Sequence, residues 1–333
     1  MNKYLASAAL LVALFTASPA HAKGGKAGKG GKGGFIQPPE SVDNGPWFTG
    51  TLLSPSPNVV APGHFYIEPY LYVNKTFGSY DDNWKSVSEE TKWTTTVQLP
   101  ATIGLVEGID FSASAELIHT KFKGLHATEF GDMSAGIDFQ IYKSSAGSPL
   151  PSIKLSVSEN IPFGKFQNLD PTKLGIDGVG AGNWNTTVGV TFGDTYHLDE
   201  RHYLNARLAF DYTIPFKTHV NGLNVYGGAP STDGTAKVGG VYTLSFGAEY
   251  LFSKHLALAF DAIYSYANAV SFHGTTPALS PVGSGVAEQL SIAPAIEYNW
   301  NSAFGLIAGV HWTLAGRNTS QFTTYIVALS IYL

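Results

Sequence analysis

The chain has 333 residues, of which 20 are basic, 25 are acidic and none is a cysteine. The lack of cysteine excludes disulfides and Cys-based zinc sites, and we expect no metal and no cofactor. Only 14% of the residues are charged, whereas 13% are aromatic and 37 are glycines. This composition is typical of a protein built from many strands with aromatic faces.

The first 22 residues have the features of a secretory signal peptide. Lys3 precedes an apolar core over residues 5–17, and Ala20 and Ala22 flank His21 in a small-x-small cleavage pattern. We therefore predict that residues 1–22 are removed on export and exclude them from the fold.

Residues 23–45 are predicted to form a flexible, basic, Gly/Lys-rich periplasmic tail. A lysine recurs every third residue from 23 to 32 among glycines and alanines, a pattern that cannot bury apolar area. Five of the basic residues lie before residue 35, which leaves 15 basic against 25 acidic residues in the rest of the chain. An acidic body argues against nucleic acid as a partner.

From residue 46 onward, apolar residues alternate with polar ones over stretches of about ten residues. These stretches are longer than the ~5–6 residues of a usual strand and match the ~9–11 that cross a bilayer obliquely. Aromatic residues gather near their ends, as in the interfacial girdles of membrane barrels. The predicted strands are 64–74, 92–103, 109–119, 131–142, 152–161, 184–193, 202–214, 241–252, 256–267, 287–298, 303–313 and 321–333.

The fold prediction is all-β: a closed transmembrane antiparallel β-barrel of about 12 strands over residues 46–333, with ten and fourteen strands as alternatives. Short turns after 252 and 298 alternate with long loops at 75–91, 162–183, 215–240 and 268–286. Short periplasmic turns and long outer loops are typical of barrels in the outer membrane of a Gram-negative bacterium. Outer-membrane lipid is therefore an expected partner.

The last strand ends the chain on an apolar residue. Tyr325, Val327, Leu329, Ile331 and Leu333 share one face, and no polar residues follow. This end resembles the C-terminal signal of bacterial outer-membrane proteins, with Leu333 in place of the usual Phe. We predict that the strand closes the barrel and is recognised by the barrel-assembly machinery.

A stretch from Gly45 reads GPWFTGTLLSPSPNVVAPGHFYIEPYLYV, a lead-in punctuated by Pro and Gly and followed by a strand that carries Glu68 and Pro69. It resembles the outer-membrane barrels of the MetA-pathway of phenol degradation family over Gly45 to Leu333. The resemblance implies a transporter or channel for small hydrophobic or aromatic compounds, and it implies no catalytic residue.

The polar face of the predicted strands indicates which side chains point into a lumen, because charges that face lipid cost about 2–4 kcal/mol near the midplane. A lumen with an acidic bias favours cations or neutral solutes, and Tyr rings on one wall suit a flat solute. The predicted pore-lining residues are Tyr66, Glu68, Tyr70, Tyr72, Lys154, Arg207, Asp211, Glu249, Asp261, Glu297 and His311.

The functional prediction is passive uptake of small neutral or hydrophobic solutes, aromatic ones included. The alternatives are a structural barrel whose lumen is filled by ion pairs, a surface adhesin that uses the long loops, and an outer-membrane lipid hydrolase. Only His119, near the outer end of a lipid-facing run, supports the hydrolase. The sequence has no Walker loop, G-x-S-x-G elbow or H-E-x-x-H motif, so we predict that the chain is not an enzyme.

Overall fold

A computed structural model describes residues 46–145, 148–199 and 201–333. The predicted signal peptide and basic tail lie outside these residues, and both stay predictions. The one helical turn in the described part is a short 3-10 helix, Pro171–Lys173. No described helix is long and apolar enough to cross a membrane.

Strands dominate the described part of the chain. They are β1 Phe65–Ile67, β2 Tyr70–Tyr80, β3 Ser86–Val106, β4 Ile109–Phe122, β5 Leu125–Phe130, β6 Met133–Tyr142, β7 Ser152–Ile161, β8 Asn185–His197, β9 Tyr203–Pro215, β10 Thr218–Asn221, β11 Asp233–Lys237, β12 Val241–Ser253, β13 Leu256–Ala267, β14 Ser271–Thr275, β15 Ala287–Asn299, β16 Phe304–Arg317 and β17 Thr319–Tyr332.

Twelve of these strands form a closed ring of antiparallel pairs. The order around it is β2, β3, β4, β6, β7, β8, β9, β12, β13, β15, β16 and β17, and β17 pairs back onto β2. The predicted fold class and strand number are confirmed. The short strand β1 continues β2 beyond Glu68–Pro69, where Pro69 has no N–H to give to the ladder. In the same way, β5 and β6 follow one another along β4.

The two ends of the barrel differ. One end, the turn end, holds the connections at 107–108, 254–255 and 300–303, together with the chain terminus, where Phe65 N donates to Leu333 O at 2.9 Å. The other end, the loop end, holds the long connections 162–184, 216–240 and 268–286.

One predicted loop is wrong. The stretch 75–91 is not a long loop, because β2 and β3 continue as a paired hairpin with a turn at 81–85. Asp81 Oδ1 accepts hydrogen bonds from Asn83 N at 2.8 Å and Lys85 N at 2.9 Å, which closes this turn. Strand alternation is weak here because polar residues occupy both faces beyond the lipid level.

The outer wall of the barrel is apolar and exposed. A continuous exposed apolar surface is rare on proteins in water and suits the hydrocarbon region of a bilayer. Exposed aromatic side chains lie toward both ends of the wall, such as Phe252 and Trp300 at the turn end and Trp93 and Trp184 at the loop end. Members of the central belt include Leu71, Val97, Leu99, Leu208, Phe246, Leu258, Ile296, Val327 and Leu329.

Candidate functional site

The lumen is occupied at the turn end by the chain itself. Residues 46–61, which precede β1 and form no strand, lie inside the barrel; we call them the inserted segment. Phe48 and Leu52 are each 1% exposed, and Leu52 packs among the inward Ala293, Ile307 and Ile326. The segment therefore belongs to the barrel interior and is not a solvated leader.

Carboxylates of the barrel wall hold the first half of the inserted segment by its backbone. Glu297 is on β15, Glu249 on β12 and Asp261 on β13, and each carboxylate accepts at least one amide N–H of the segment. A carboxylate acceptor makes a stronger hydrogen bond than a neutral one. The pairs are Thr49 N to Glu297 at 3.0 Å, Gly50 N to Glu249 at 2.9 Å, Ser54 N to Asp261 at 2.9 Å and Leu53 N to Asp261 at 3.3 Å.

The second half of the segment is held from the opposite wall. Val60 N donates to Asp110 Oδ2 on β4 at 2.7 Å, and Val59 N donates to Gln140 Oε1 on β6 at 3.0 Å. The Gln140 amide also donates to Pro57 O at 2.9 Å. The segment thus crosses the lumen, from the β12–β15 side to the β4–β6 side, before it enters β1.

Arg207 on β9 supplies the positive charge at the centre of this network. Its guanidinium forms a fully buried ion pair with Glu249, and Nη1 donates to Ser54 O at 3.4 Å. Asn205 Nδ2 donates to the same Glu249 carboxylate at 2.6 Å. A buried carboxylate is stable only with such partners, so wall and segment satisfy each other.

Glycines in the wall make the room that the segment fills. A Cβ added to Gly247 would lie 2.9 Å from Ser54 Cβ, one on Gly193 2.8 Å from Pro57 Cγ, and one on Gly309 2.6 Å from Leu52 Cδ1. These distances are shorter than van der Waals contact. These three glycines therefore lie directly against the inserted segment.

The predicted aromatic wall lies beside the segment. Tyr66 is buried, and its hydroxyl donates to Thr49 O at 3.5 Å. Tyr70 and Tyr72 are buried and stack on each other with ring centroids 5.3 Å apart. Glu68 is 2% exposed at the break between β1 and β2.

Three more predicted residues, Lys154, Asp211 and His311, complete the set. Lys154 pairs with Asp138 at 2.6 Å, and Asp211, half-buried, has the same strand parity as Arg207. His311 is buried, and its ring meets Phe322 edge to face with centroids 5.0 Å apart. The structure thus places every predicted pore-lining residue on the inner face, and a role in a solute path stays a prediction for all of them.

Sequence reasoning missed the inserted segment. The sequence pattern of the lead-in indicates only a Pro- and Gly-rich approach to the first strand. Its apolar pairs, Trp47 with Phe48 and Leu52 with Leu53, were the available signal, because a solvated leader rarely carries four large apolar residues.

At the loop end, the long connections form a cap. Strands β10, β11 and β14 make a second sheet over a core of Leu169, Val220, Val225, Tyr226 and Ala236. Burial raises the pKa of Tyr226, so its hydroxyl stays protonated and donates to Asn183 Oδ1 at 3.0 Å. Lys165 pairs with the buried Asp177 at 2.6 Å within the same cap.

The hydrolase alternative depended on His119 alone. His119 faces outward, and its Nδ1 lies 2.8 Å from Thr128 Oγ1 on β5. The described residues contain no cluster of three or more His, Asp or Glu that could hold a metal ion.

Comparison with known proteins gives a fold likeness. Neither a family model nor a curated protein matches the sequence. The chain is similar in structure to the COG4313 outer membrane channel from Pseudomonas putida F1, with a TM-score of 0.59 and 11% identity, over 82% of this chain and 96% of that one.

Two further likenesses are weaker. The NanC porin has a TM-score of 0.40 and 10% identity over 78% of this chain and 98% of that one. The CymD monoaromatic hydrocarbon channel has a TM-score of 0.37 and 8% identity over 82% and 88%. At these scores the likeness does not extend to function. The closed strand topology, the apolar outer wall and the likeness to the COG4313 channel together show that the chain has the fold of an outer-membrane channel.

Proposed function

We propose that the chain is a passive outer-membrane channel for small neutral or hydrophobic solutes, aromatic ones included, and that the inserted segment must shift for the path to open. The observation that carries this proposal is the way the segment is held. Side chains of the wall bind it through individual hydrogen bonds, whereas a permanent barrel strand would share a continuous backbone ladder.

The location in the outer membrane is supported by the apolar outer wall and by the signal peptide predicted over residues 1–22. In such barrels short turns face the periplasm and long loops face outward. The inserted segment then closes the periplasmic half of the lumen, and the cap covers the outer half. We also propose that β17 is the strand recognised by the barrel-assembly machinery.

A reversible crosslink tests the opening step. The chain has no cysteine, so Ser54→Cys with Gly247→Cys introduces a single candidate pair. A Cβ added to Gly247 would lie 2.9 Å from Ser54 Cβ, and a shift of about 1 Å reaches disulfide geometry. We expect liposomes with the oxidised variant to exclude phenol-sized solutes, and the same liposomes to admit them after reduction.

The two single-cysteine variants are the matched controls, and redox conditions should leave their uptake unchanged. Equal uptake before and after reduction would show that solutes pass beside a fixed segment. No uptake in the reduced variant or in the unmodified protein would favour the filled structural barrel, for which the same network is the supporting observation.

A further inference from the structure

The outer wall of β2, β3, β4 and β5 changes character in ordered rows toward the loop end. Across each row the residues are direct cross-strand neighbours. The lowest row is apolar: Leu71, Val97, Leu117 and Phe130. The next is Val73, Thr95, His119 and Thr128. The last, which we call the cationic row, is Lys75, Trp93, Lys121 and His126.

The rows are separated by two residues along each strand, which is about 6–7 Å. The apolar row is exposed, with Leu71 at 43% and Phe130 at 62%. The cationic row therefore begins one polar row above the hydrocarbon belt, at the level where lipid headgroups lie.

The cations of this row are available for an anionic ligand. Lys75 Nζ lies 5.9 Å from the ring centroid of Trp93. Among the described residues, neither Lys75 nor Lys121 forms an ion pair. Their strands are separated only by β3, so the two Cα atoms are about 10 Å apart.

Two acidic residues on this side of the barrel are already engaged. Glu90 pairs with Lys123 at the tip of β4, and Glu89 accepts a hydrogen bond from Ser79 Oγ at 2.6 Å. On the other side of the barrel, outward positions near the loop end include the acids Glu159 and Glu288, and Glu288 pairs with Arg317. The cationic row thus differs from that side in holding two lysines that form no ion pair among the described residues.

We propose that the cationic row binds the phosphates of a phosphorylated glycolipid of the outer leaflet, of the lipid A type. In this complex Lys75 and Lys121 contact phosphate oxygens, and Trp93 and His126 contact the sugar. The apolar row contacts the acyl chains. The ammonium groups of the two lysines suit the phosphates of this ligand. The neighbouring apolar row is the reason that we infer a lipid and not a free anion.

Native mass spectrometry of the detergent-purified protein tests this site. The probes are diphosphoryl lipid A, the same lipid without phosphates, and phosphatidylglycerol. We expect Lys75→Gln with Lys121→Gln to weaken diphosphoryl lipid A binding roughly 30-fold, about fivefold for each lysine at a membrane surface. The matched control is Lys217→Gln with Lys237→Gln, two exposed lysines of the cap, which should bind as the parent does.

Equal affinity of the parent and the Lys75/Lys121 variant for diphosphoryl lipid A would overturn the proposal. So would equal binding of lipid A with and without phosphates, or of lipid A and phosphatidylglycerol. If the double variant does not fold, the salt dependence of the parent protein provides the test. The affinity of the parent for lipid A should fall as salt shortens the Debye length from ~10 Å at 0.1 M to ~3 Å at 1 M. An affinity that does not change with salt would overturn the proposal. None of these outcomes depends on solute passage.

Discussion

At the scale of single residues, the lumen is organised by carboxylates that face backbone amides. Asp261 accepts two successive N–H groups of the inserted segment, from Leu53 and Ser54. Water cannot replace these hydrogen bonds, because the segment is buried almost throughout. Each lost hydrogen bond therefore leaves a buried donor without a partner.

Asp261→Ala should release the middle of the inserted segment while leaving the barrel closed. A hydrogen bond to a charged group contributes about 1.5–3 kcal/mol, so amide exchange at Leu53 and Ser54 should rise roughly 10- to 100-fold. Hydrogen–deuterium exchange in detergent measures this directly. Asp211→Ala is the control, because among the described residues Asp211 makes no hydrogen bond to the segment, and unchanged exchange in the Asp261 variant would contradict the assigned contacts.

At the scale of elements, the final strand carries the closure of the barrel. β17 pairs with β16 over Phe304–Trp312 and with β2 over Tyr70–Tyr80, so both of its edges are used. Its inward Ile326 also packs near Leu52 of the inserted segment. Loss of β17 exposes two strand edges, whose unpaired backbone groups are costly in lipid.

Deletion of residues 325–333 should abolish barrel formation. The test is refolding of the purified chain in detergent, read as heat-modifiable migration on a gel, which needs no assembly machinery. A chain that lacks nine residues of the tail, 23–31, is the control and should still migrate as a folded barrel. A heat-modifiable band from the truncated chain would show that closure does not need this strand.

At the scale of the whole molecule, two blocks restrict the lumen, the inserted segment at the turn end and the cap at the loop end. The charged side chains that hold the segment would line the lumen once the segment has moved. Glu249, Asp261 and Glu297 would face the lumen if the segment moved, against the single cation of Arg207 nearby. An open state should thus prefer cations to anions at low salt.

A mature chain that begins at Ala61 should show this preference as a reversal potential across a potassium chloride gradient. The substitutions Glu249→Gln, Asp261→Asn and Glu297→Gln in that chain should reduce it, since three negative charges are removed with little change in shape while other inward acids, such as Glu68 and Asp110, remain. The effect should fade as the Debye length falls from ~30 Å at 0.01 M to ~3 Å at 1 M. The same reversal potential with and without the three acids would mean that they do not line the path.

Much of the fold could be predicted from local sequence pattern. Side chains alternate across a strand, so the period of two in stretches such as 256–267 shows both the strand and its two faces. The inward position of Glu249, Asp261 and Glu297 followed from this parity alone. Strand ends beyond the lipid level were harder, and the hairpin at 75–91 was mistaken for a loop because neither face is apolar there.

What the sequence by itself determined is therefore the β-class, a barrel of about twelve strands and the face of each residue, because side-chain alternation and burial are set within ten or so neighbouring residues. Only the tertiary structure decided what the inward acids contact. Glu249 meets Gly50 across 199 residues and Glu297 meets Thr49 across 248. Contacts between residues so far apart in the chain depend on closure of the barrel, so a local sequence period cannot predict them. The register of β2, β3 and β4 likewise brings Lys75 and Lys121 into one row.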